Sequence, residues 1–354
     1  MAKPRVVVGM SGGVDSSFTA YLLQEQGYDV IGVMLTLWTE PSREGENRCC
    51  SIDSQTIARQ TAYKLGIPFY AVDARDLFRS IVVEEFIQGY SAGITPNPCV
   101  LCNASVRWQM LLESASMFSA DFVATGHYAQ ITRDDNGEVH LLRGRDRSKD
   151  QSYVLSMVKS EYLQRTLLPL GAMTKEDVRA KSKAVGLPNA SRPDSQDLCF
   201  LGGMDYREFI TKYADTVSRP GDIVDEDGAV VGQHEGLAYY TLGQRKGLRI
   251  ASEAPYFVLS KETTANRLIV SHSPQPDVES FKVSKVNWIT PPEKQTFTAD
   301  VQVRYKSTSF PAEMKINGES ILVQPAYAQA VNATPGQVAV FNNNDECLGG
   351  GIIV

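Results

Sequence analysis

The sequence lacks any hydrophobic run long enough to cross a membrane, and the apolar stretch after Met1–Arg5 is too short for a signal peptide. It also lacks an excess of positive charge, because 35 Lys and Arg residues against 41 Asp and Glu residues give a net charge of −6. That balance argues against a bulk nucleic-acid coat but allows a local basic face. We therefore expect a cytoplasmic protein of two or three domains with no membrane partner, since 354 residues exceed one typical domain.

Metal-binding patterns are scarce too. The four histidines are scattered, and Cys99 and Cys102 form the only Cys-x-x-Cys pair, so a structural zinc site is not expected. Six cysteines in a cytoplasmic chain favour catalytic or metal-binding roles over structural disulfides. Cys199 lies in an apolar stretch, where a buried packing thiol is the alternative to a catalytic one.

A glycine- and serine-rich turn follows the β-branched run Arg5–Val8, and apolar residues then recur at helical spacing over 17–23. This pattern predicts a strand, a tight loop and a helix start. Glycines let backbone N–H groups approach an anion, and the helix N-terminus adds partial positive charge, so the loop is predicted to bind phosphate. No Lys follows as in a Walker A loop, and the glycine spacing does not fit the dinucleotide fingerprint. The predicted phosphate-binding residues are Gly9, Met10, Ser11, Gly12, Gly13, Val14, Asp15 and Ser16.

Strands alternate with helices up to residue 125, which predicts an α/β fold with a doubly wound parallel sheet. The predicted strands are 29–35, 68–72 and 121–125, and the predicted helices are 54–65, 77–90, 103–118, 160–168 and 174–185, with a hairpin after residue 130. Ligands of such sheets bind at the carboxyl ends of the strands. Gly9, Leu35 and Gly126 fall at such ends, so one nucleotide could contact all three.

The pattern changes twice further along the chain. Residues 204–272 combine helical and strand signals and predict a small α+β domain. After that, short strands are predicted at 282–289, 297–305, 310–316, 320–323, 337–341 and 348–354, and their spacing predicts an antiparallel β-barrel. The predicted domains are therefore 1–203, 204–272 and 273–354.

Two further stretches suggest local chemistry. Cys102 stands at or next to the predicted start of the helix 103–118, where a helix N-terminus would favour the nucleophilic thiolate. The run Leu142–Gln151 holds four cations and two acids, a pattern more typical of a solvated face than of a binding patch when taken alone.

Several motifs in this order resemble the tRNA-specific 2-thiouridylase family of PP-loop ATP pyrophosphatases, and the resemblance covers essentially the whole chain. The motifs are the loop Gly9–Ser16, Thr95-Pro96-Asn97-Pro98, Cys102-Asn103, Ala124–Tyr128, Lys149–Tyr153, Cys199-Phe200, Thr241–Leu248 and Cys347–Gly351. The resemblance implies a PP-loop ATP-binding catalytic domain over 1–203, a small central domain over 204–272 that contacts tRNA, and a C-terminal β-barrel over 273–354.

The resemblance also implies an activity. The enzyme would use ATP, with Mg²⁺, to adenylate the C2 oxygen of the wobble uridine in the tRNAs for Glu, Gln and Lys, and would then replace that oxygen with sulfur. Its partners would be those tRNAs and a sulfur donor, either a cysteine desulfurase or a sulfur-relay protein. Cys102 would be the nucleophile and Cys199 would carry a persulfide, which Cys102 could resolve to leave a disulfide.

The resemblance assigns binding residues as well. Gly9–Ser16, the Leu35 backbone and Gly126 would bind ATP. The tRNA contacts would be Asn97, His127, Lys149, Asp150, Gln151, Arg304, Tyr305 and Gln337.

One position departs from the family pattern. Many relatives have an aspartate, proposed as an acid/base, where this chain has Cys99. Cys99, Cys102 and Cys199 could instead hold a [4Fe–4S] cluster with one iron open for hydrosulfide, which is the alternative to the persulfide route. Cys49 and Cys50 are interpreted as incidental or labile thiols and Cys347 as barrel packing.

Two competing functions are compatible with a phosphate-binding loop of this kind. One is a PP-loop ligase that acts on a small molecule, and the other is a non-enzymatic protein that binds tRNA or relays a persulfide. The absence of a glutaminase signature and the C-terminal barrel with its basic loops favour an RNA substrate over a small molecule.

Overall fold

The computed structural model of the protein describes residues 3–43, 52–193, 198–214, 219–273, 279–327 and 331–354. The predictions for Cys49 and Cys50 lie outside these residues. Among the described helices, none is both long and apolar enough to cross a membrane.

The first part of the chain carries strands β1 (Arg5–Gly9), β2 (Asp29–Thr36), β3 (Phe69–Asp73), β4 (Phe122–Ala124), β5 (Ala129–Arg133), β6 (Val139–Arg143) and β7 (Thr166–Leu167). Its helices are α1 (Val14–Glu25), α2 (Ile52–Leu65), α3 (Arg75–Phe78), α4 (Glu84–Ser91), α5 (Pro98–Cys102), α6 (Trp108–Met117), α7 (Ser152–Leu155), α8 (Ser160–Leu163) and α9 (Lys175–Ala184). One π turn, Arg79–Val83, joins α3 to α4, and another, Asn103–Arg107, joins α5 to α6.

A five-stranded parallel sheet in the order β3-β2-β1-β4-β7 forms the centre of this part. Its central strand is the predicted β-branched run, and Val6, Val7 and Val8 are fully buried between the helices on both faces. A strand covered on both faces needs apolar side chains at every position, which is why this run does not alternate. The parallel α/β fold predicted from the sequence is confirmed.

The fifth strand, β7, was missed by the sequence analysis, because the helix predicted over 160–168 ends at Leu163. Thr166 accepts a hydrogen bond of 2.8 Å from the indole Nε1 of Trp108, and Arg165 O accepts one from Val123 N. Pro169 also disfavours a helical conformation for the residue before it. Tertiary contacts and the proline therefore override the helical pattern.

The middle of the chain contains α10 (Tyr206–Tyr213), β8 (Gly221–Val224), β9 (Val230–His234), β10 (Phe257–Glu262) and β11 (Arg267–Ser271). The strands form one sheet in the order β10-β11-β8-β9, in which β8 and β11 run parallel. Ile223, Leu268 and Val270 lie in its core and are fully buried. This is the small α+β unit that the sequence predicted.

The last part is a closed antiparallel barrel, as predicted. Its strands are β12 (Phe281–Trp288), β13 (Thr296–Gln302), β14 (Phe310–Asn317), β15 (Ser320–Pro325), β16 (Val338–Asn343) and β17 (Glu346–Ile353). They pair in the order β12-β15-β14-β13-β16-β17, and β12 pairs with β17 to close the barrel. Cys347 is fully buried there and burial raises the pKa of its thiol to about 12, which fits a packing role.

The hairpin β5–β6 of the first part also joins this barrel. Leu141 and Leu142 of β6 pair antiparallel with Cys347 and Glu346 of β17. His140 Nδ1 adds a 2.7 Å contact to Glu346 Oε1. The sequence predicted the hairpin but not that it would extend the barrel sheet.

The loop between α4 and α5 is held by both other parts of the chain. Gln337 Nε2 donates to Thr95 O at 2.8 Å, and Thr95 N donates to Pro335 O at 3.1 Å. Lys261 of β10 donates from Nζ to Gly93 O at 3.0 Å, and burial lowers the pKa of this amine to about 8. The chain that leads into α5 is thereby fixed at the junction of all three parts.

Candidate nucleotide and sulfur-transfer site

The predicted phosphate-binding loop follows β1 at the carboxyl edge of the parallel sheet. Ser11 N donates to Ser16 Oγ at 3.1 Å, and Ser16 Oγ donates to Gly13 O at 3.1 Å, so the loop folds back on the first turn of α1. Gly12 has φ +74°, and a Cβ there would lie 2.5 Å from Ser54 O. Gly13 is the N-cap of α1 without a side-chain hydrogen bond, so the helix presents its first N–H groups and its positive end to an anion.

Gly126 and Leu35 lie at the neighbouring strand ends, as the sequence predicted. A Cβ on Gly126 would lie 2.8 Å from Asp15 C and 2.9 Å from Ser16 N, so only glycine lets the β4 end pack on the loop. Met10 N donates to Val33 O of β2 at 2.8 Å, which ties the start of the loop to the strand that carries Leu35. The predicted ATP-binding residues therefore lie at one edge of the parallel sheet, at the carboxyl ends of β1, β2 and β4.

A buried lysine that the sequence analysis missed lies at this loop. Lys175, at the start of α9, places Nζ 2.7 and 2.6 Å from the two carboxylate oxygens of Asp15. The Tyr128 hydroxyl donates to the same carboxylate at 2.8 Å. Lys175 is 8% exposed and the Asp15 side chain is 30% exposed, so the loop carries a partly buried ion pair.

A second missed group follows α9. Asn189 Nδ2 donates to Gly12 O at 3.0 Å and to Ser17 Oγ at 2.7 Å. Arg192 donates from one guanidinium nitrogen to Gly12 O at 3.3 Å and from another to Ser54 Oγ at 2.8 Å. One feature of the sequence could have indicated Lys175 and Arg192: the phosphate loop lacks the Walker lysine, so its cations must come from elsewhere in the chain.

Cys102 does not stand at a helix N-cap, and that prediction is wrong. The N-cap is Asn97, whose Oδ1 accepts from Val100 N at 3.2 Å, and Pro98 takes the first helical position. Cys102 is the last residue of α5, and the π turn continues the helix into α6. The helix N-terminus therefore lies too far back along the chain to stabilise a Cys102 thiolate.

The surroundings of Cys102 set its acidity instead. The side chain is 7% exposed and packs in an apolar cluster with Phe86, Phe200 and Phe209. Burial raises the pKa of the Cys102 thiol, whereas the charge and the hydrogen bond of Arg107 lower it. Arg107 is thus the group that favours a thiolate at this position.

His127 lies beside the same arginine. Burial, and secondarily the charge of Arg107, lower the pKa of His127 to about 3, so the imidazole is neutral at physiological pH. Its Nδ1 is hydrogen-bonded to Thr125 Oγ1 at 2.7 Å, and its ring lies 5.5 Å from that of Trp108. His127 is thus oriented between the nucleotide loop and Cys102.

Cys199 opens a short turn, Cys199–Leu201, that packs against the cluster containing Cys102. Glu40 N donates to Phe200 O at 2.9 Å and anchors this turn. Burial alone would raise the pKa of Glu40, but hydrogen bonds from Lys212, Ser42 and Tyr213 lower it to about 2. The half-buried Cys199 and the buried Cys102 therefore share one apolar neighbourhood, and both are free thiols.

Cys99 stands one helical turn before Cys102 in α5 and differs from it in exposure. Its charge acts on Tyr305. Burial raises the pKa of Tyr305, the charges of Asp150 and Cys99 raise it further, and the charge of Lys149 lowers it. Tyr153 packs 6.0 Å from Tyr305 and is hydrogen-bonded to the side chain of Asn97. The structure thus brings Cys99 and several predicted tRNA-binding residues to one seam between the first part and the barrel.

The predicted tRNA-binding residues differ in what their side chains already contact. Asp150 accepts from Gly144 N at 2.8 Å and from Ser152 N at 3.1 Å, and Gln151 Oε1 accepts from Tyr128 N at 3.0 Å. Gln337 is bonded to Thr95, as described above. These three shape the seam, whereas Tyr305 is 40% exposed beside Lys149 and offers a surface for a ligand.

The three cysteines do not form a cluster site. Within the described ranges, no three or more His, Cys, Asp or Glu side chains group closely enough to hold a metal. Cys99 is exposed at the seam, whereas Cys102 is enclosed by apolar side chains. In this structure the three thiols therefore do not converge as the ligands of a [4Fe–4S] cluster do.

These environments predict different thiol reactivities. We expect iodoacetamide to alkylate exposed Cys99 at least about tenfold faster than Cys102 near neutral pH, because the Cys102 thiol is buried and its pKa is raised. Peptide mass spectrometry of timed samples would measure both rates. Equal rates would contradict the buried position of Cys102, and a Cys99→Ser variant identifies which peptide carries the fast label.

A parallel sheet with a strand, a Gly/Ser loop and a helix N-terminus defines a nucleotide-binding α/β domain, here joined to two β-rich domains. Family models match each part: "tRNA methyl transferase HUP domain" over residues 4–203, "tRNA methyl transferase PRC-barrel domain" over 207–272, and "Aminomethyltransferase beta-barrel domain" over 278–353. The chain belongs to the tRNA-specific 2-thiouridylase family. It is 40% identical over 361 residues to the tRNA-specific 2-thiouridylase MnmA of Enterococcus faecalis, covering 99% of this chain and 96% of that protein. It is 43% identical to the MnmA of Heliobacterium modesticaldum, covering 99% and 93%.

Solved structures are more distant. NMN synthetase from Francisella tularensis is 16% identical with a TM-score of 0.35, over 60% of this chain and 77% of that one. A 4-thiouridine synthetase–RNA complex with bound ATP is 14% identical with a TM-score of 0.37, over 60% and 50%. Likenesses at this level carry no argument about function.

Proposed function

We propose that this protein is an ATP-dependent tRNA 2-thiouridylase that replaces the C2 oxygen of the wobble uridine with sulfur. The observation that carries the proposal is the occurrence, in a chain of this family, of a phosphate-binding loop and of two thiols, Cys102 and Cys199, that pack on one apolar cluster. The loop Gly9–Ser16 lies beside Gly126, and the next residue, His127, lies beside Arg107, which contacts Cys102. A nucleotide and a sulfur nucleophile could therefore meet on one uridine.

The first step is adenylation. The uridine O2 attacks the α-phosphorus of ATP and pyrophosphate leaves, which converts a poor leaving oxygen into AMP. Loop N–H groups and the α1 N-terminus would stabilise the charge on pyrophosphate. Asp15 is the carboxylate of the loop, and one or two carboxylates with the phosphates suffice for Mg²⁺. A wobble base is unpaired, so it can leave its stack at low cost.

The second step transfers sulfur. The terminal sulfur of a Cys199 persulfide attacks C2, AMP leaves with the oxygen, and the uridine is joined to Cys199 through a disulfide. The Cys102 thiolate then attacks the Cys199 sulfur, which releases 2-thiouridine and leaves a Cys102–Cys199 disulfide for an external dithiol to reduce. Arg107 favours the thiolate that this step needs. We derive no step through an iron–sulfur cluster.

Several finer assignments belong to the same proposal. The domains would be 1–203, 204–272 and 273–354. The tRNA substrates would be those for Glu, Gln and Lys, the sulfur would come from a cysteine desulfurase or a relay protein, and the reaction would take place in the cytoplasm. The seam at Lys149, Arg304 and Tyr305 would receive the anticodon arm, because cations and an exposed tyrosine suit phosphates and an unstacked base.

The test is ATP cleavage to AMP and pyrophosphate with unmodified tRNA, with tRNA that already carries 2-thiouridine, and without RNA. We expect cleavage with unmodified tRNA only, together with 2-thiouridine formation from a persulfide donor. Equal cleavage without RNA, or cleavage that depends on a small acid, would overturn the proposal in favour of a small-molecule PP-loop enzyme. Activity that required bound iron in anaerobic protein would overturn the persulfide route alone.

A further inference from the structure

The loop 241–247, which leads into β10, is rigid although it lies at the surface. The Gln244 side chain closes it, because Oε1 accepts from Thr241 N at 3.0 Å and Nε2 donates to Lys246 O at 2.9 Å. The backbone is pinned to β10, since Gly243 N donates to Val258 O at 2.8 Å and Val258 N donates to Gln244 O at 3.0 Å. The tip therefore presents its side chains from a fixed frame.

Two cations stand on this tip. Arg245 and Lys246 are both exposed, and among the described residues neither side chain has a hydrogen-bond or ion-pair partner. Arg249, in contrast, pairs with Glu235 at 2.8 Å. Two uncompensated cations on one ordered loop create a local positive field, although the net charge of the chain is −6.

The same loop is bound to the barrel next to the seam. Leu242 O accepts from the guanidinium of Arg304 at 2.9 Å and from Asn332 Nδ2 at 3.1 Å. Tyr305 and Lys306 follow Arg304 directly, and the Lys306 amine lies 5.5 Å from the centre of the Tyr305 ring. Basic groups thus run from Lys149 across the seam to the tip of the middle domain.

We propose that the loop 241–247 binds phosphates of the tRNA backbone through Arg245 and Lys246, as a second contact beyond the seam that receives the wobble base. The inference rests on the proposed function, because it takes tRNA as the ligand. A rigid loop with two cations and no apolar side chain at its tip suits the RNA backbone rather than a base or a protein groove. Such contacts position the RNA without reading its sequence.

The test is the salt dependence of tRNA binding. The Arg245→Ala/Lys246→Ala variant should bind unmodified tRNA more weakly at low salt. The slope of log K against log salt, measured from about 50 to 200 mM, should be shallower by about 1 to 2 in this variant than in the unchanged protein. The Arg245→Lys/Lys246→Arg variant keeps both charges and should keep the slope. The matched control is Arg249→Ala, which removes a nearby exposed but paired cation and should leave the slope unchanged.

Two outcomes overturn the inference: a double-alanine variant with the slope of the unchanged protein, or an equal drop in Arg249→Ala. Either result leaves the proposed function standing, provided that the unchanged protein still cleaves ATP in the presence of tRNA. If the unchanged protein does not bind tRNA at all, the proposed function itself fails. Thermal melting of each variant shows whether it is folded, and loss of fold in the double-alanine variant is resolved by the charge-keeping pair.

Discussion

Replacing Cys199 by serine is expected to lower 2-thiouridine formation by on the order of 10³-fold or more, while tRNA-dependent pyrophosphate release continues for about one turnover. Serine cannot carry a persulfide, so the second step loses its sulfur, but the phosphate loop that performs the first step is untouched. Quench-flow counting of pyrophosphate and chromatography of digested tRNA would measure the two steps separately.

Cys99→Ser serves as the companion variant. Cys99 is exposed and is not a member of the apolar cluster that holds Cys102 and Cys199, so we expect this variant to retain most of its thiolation. A loss in Cys99→Ser as deep as in Cys199→Ser would contradict the persulfide route and support joint ligation by three cysteines. Loss of pyrophosphate release in Cys199→Ser would instead indicate damage to the nucleotide site.

Replacing Lys175 by methionine is expected to abolish ATP cleavage and to lower the free energy of unfolding. Breaking a fully buried ion pair costs about 3–5 kcal/mol. The Lys175 side chain is 10% exposed and the Asp15 side chain 30%, so water partly stabilises the carboxylate left behind, and we expect about 2–3 kcal/mol. Urea unfolding and a pyrophosphate-release assay would measure the two effects.

The double variant Asp15→Asn/Lys175→Met separates the two effects. With both charges gone, no uncompensated charge is buried at the loop, so most of the lost stability should return. ATP cleavage should not return, because the loop then lacks both its carboxylate and its nearest buried amine. Recovery of cleavage in the double variant would mean that the ion pair serves the fold alone.

The sequence predicted those parts of the site that lie within one local motif. The loop Gly9–Ser16 is marked by a β-branched strand before it and a helical pattern after it, and Gly126 stands at the end of a strand with the same signature. Strand ends of a parallel sheet meet at one edge, so convergence of these residues followed from fold class. The barrel was likewise visible as short strands at regular spacing.

The remaining parts depend on contacts between distant segments. Lys175 stands 160 residues after Asp15 and nothing near it in the sequence marks its burial. The predicted helix 103–118 starts too late, because Pro98 already opens α5 and the π turn Asn103–Arg107 continues that helix into α6, which puts Cys102 at its end rather than at a cap. Strand β17 pairs with β16 and β12 within the barrel and also with β6, and no local pattern in the sequence marks this third pairing.

That pairing sets the order in which a ribosome can complete the site. The loop leading into α5 is bonded to Gln337 and Pro335, and β6 takes its partner from β17, both more than a hundred residues later in the chain. The nucleotide loop makes its contacts with residues up to Arg192, whereas the loop leading into α5 takes its final contacts only once the barrel has been made. A chain cut short before the barrel would therefore lack the contacts of Thr95 with Pro335 and Gln337 and the partner strand of β6.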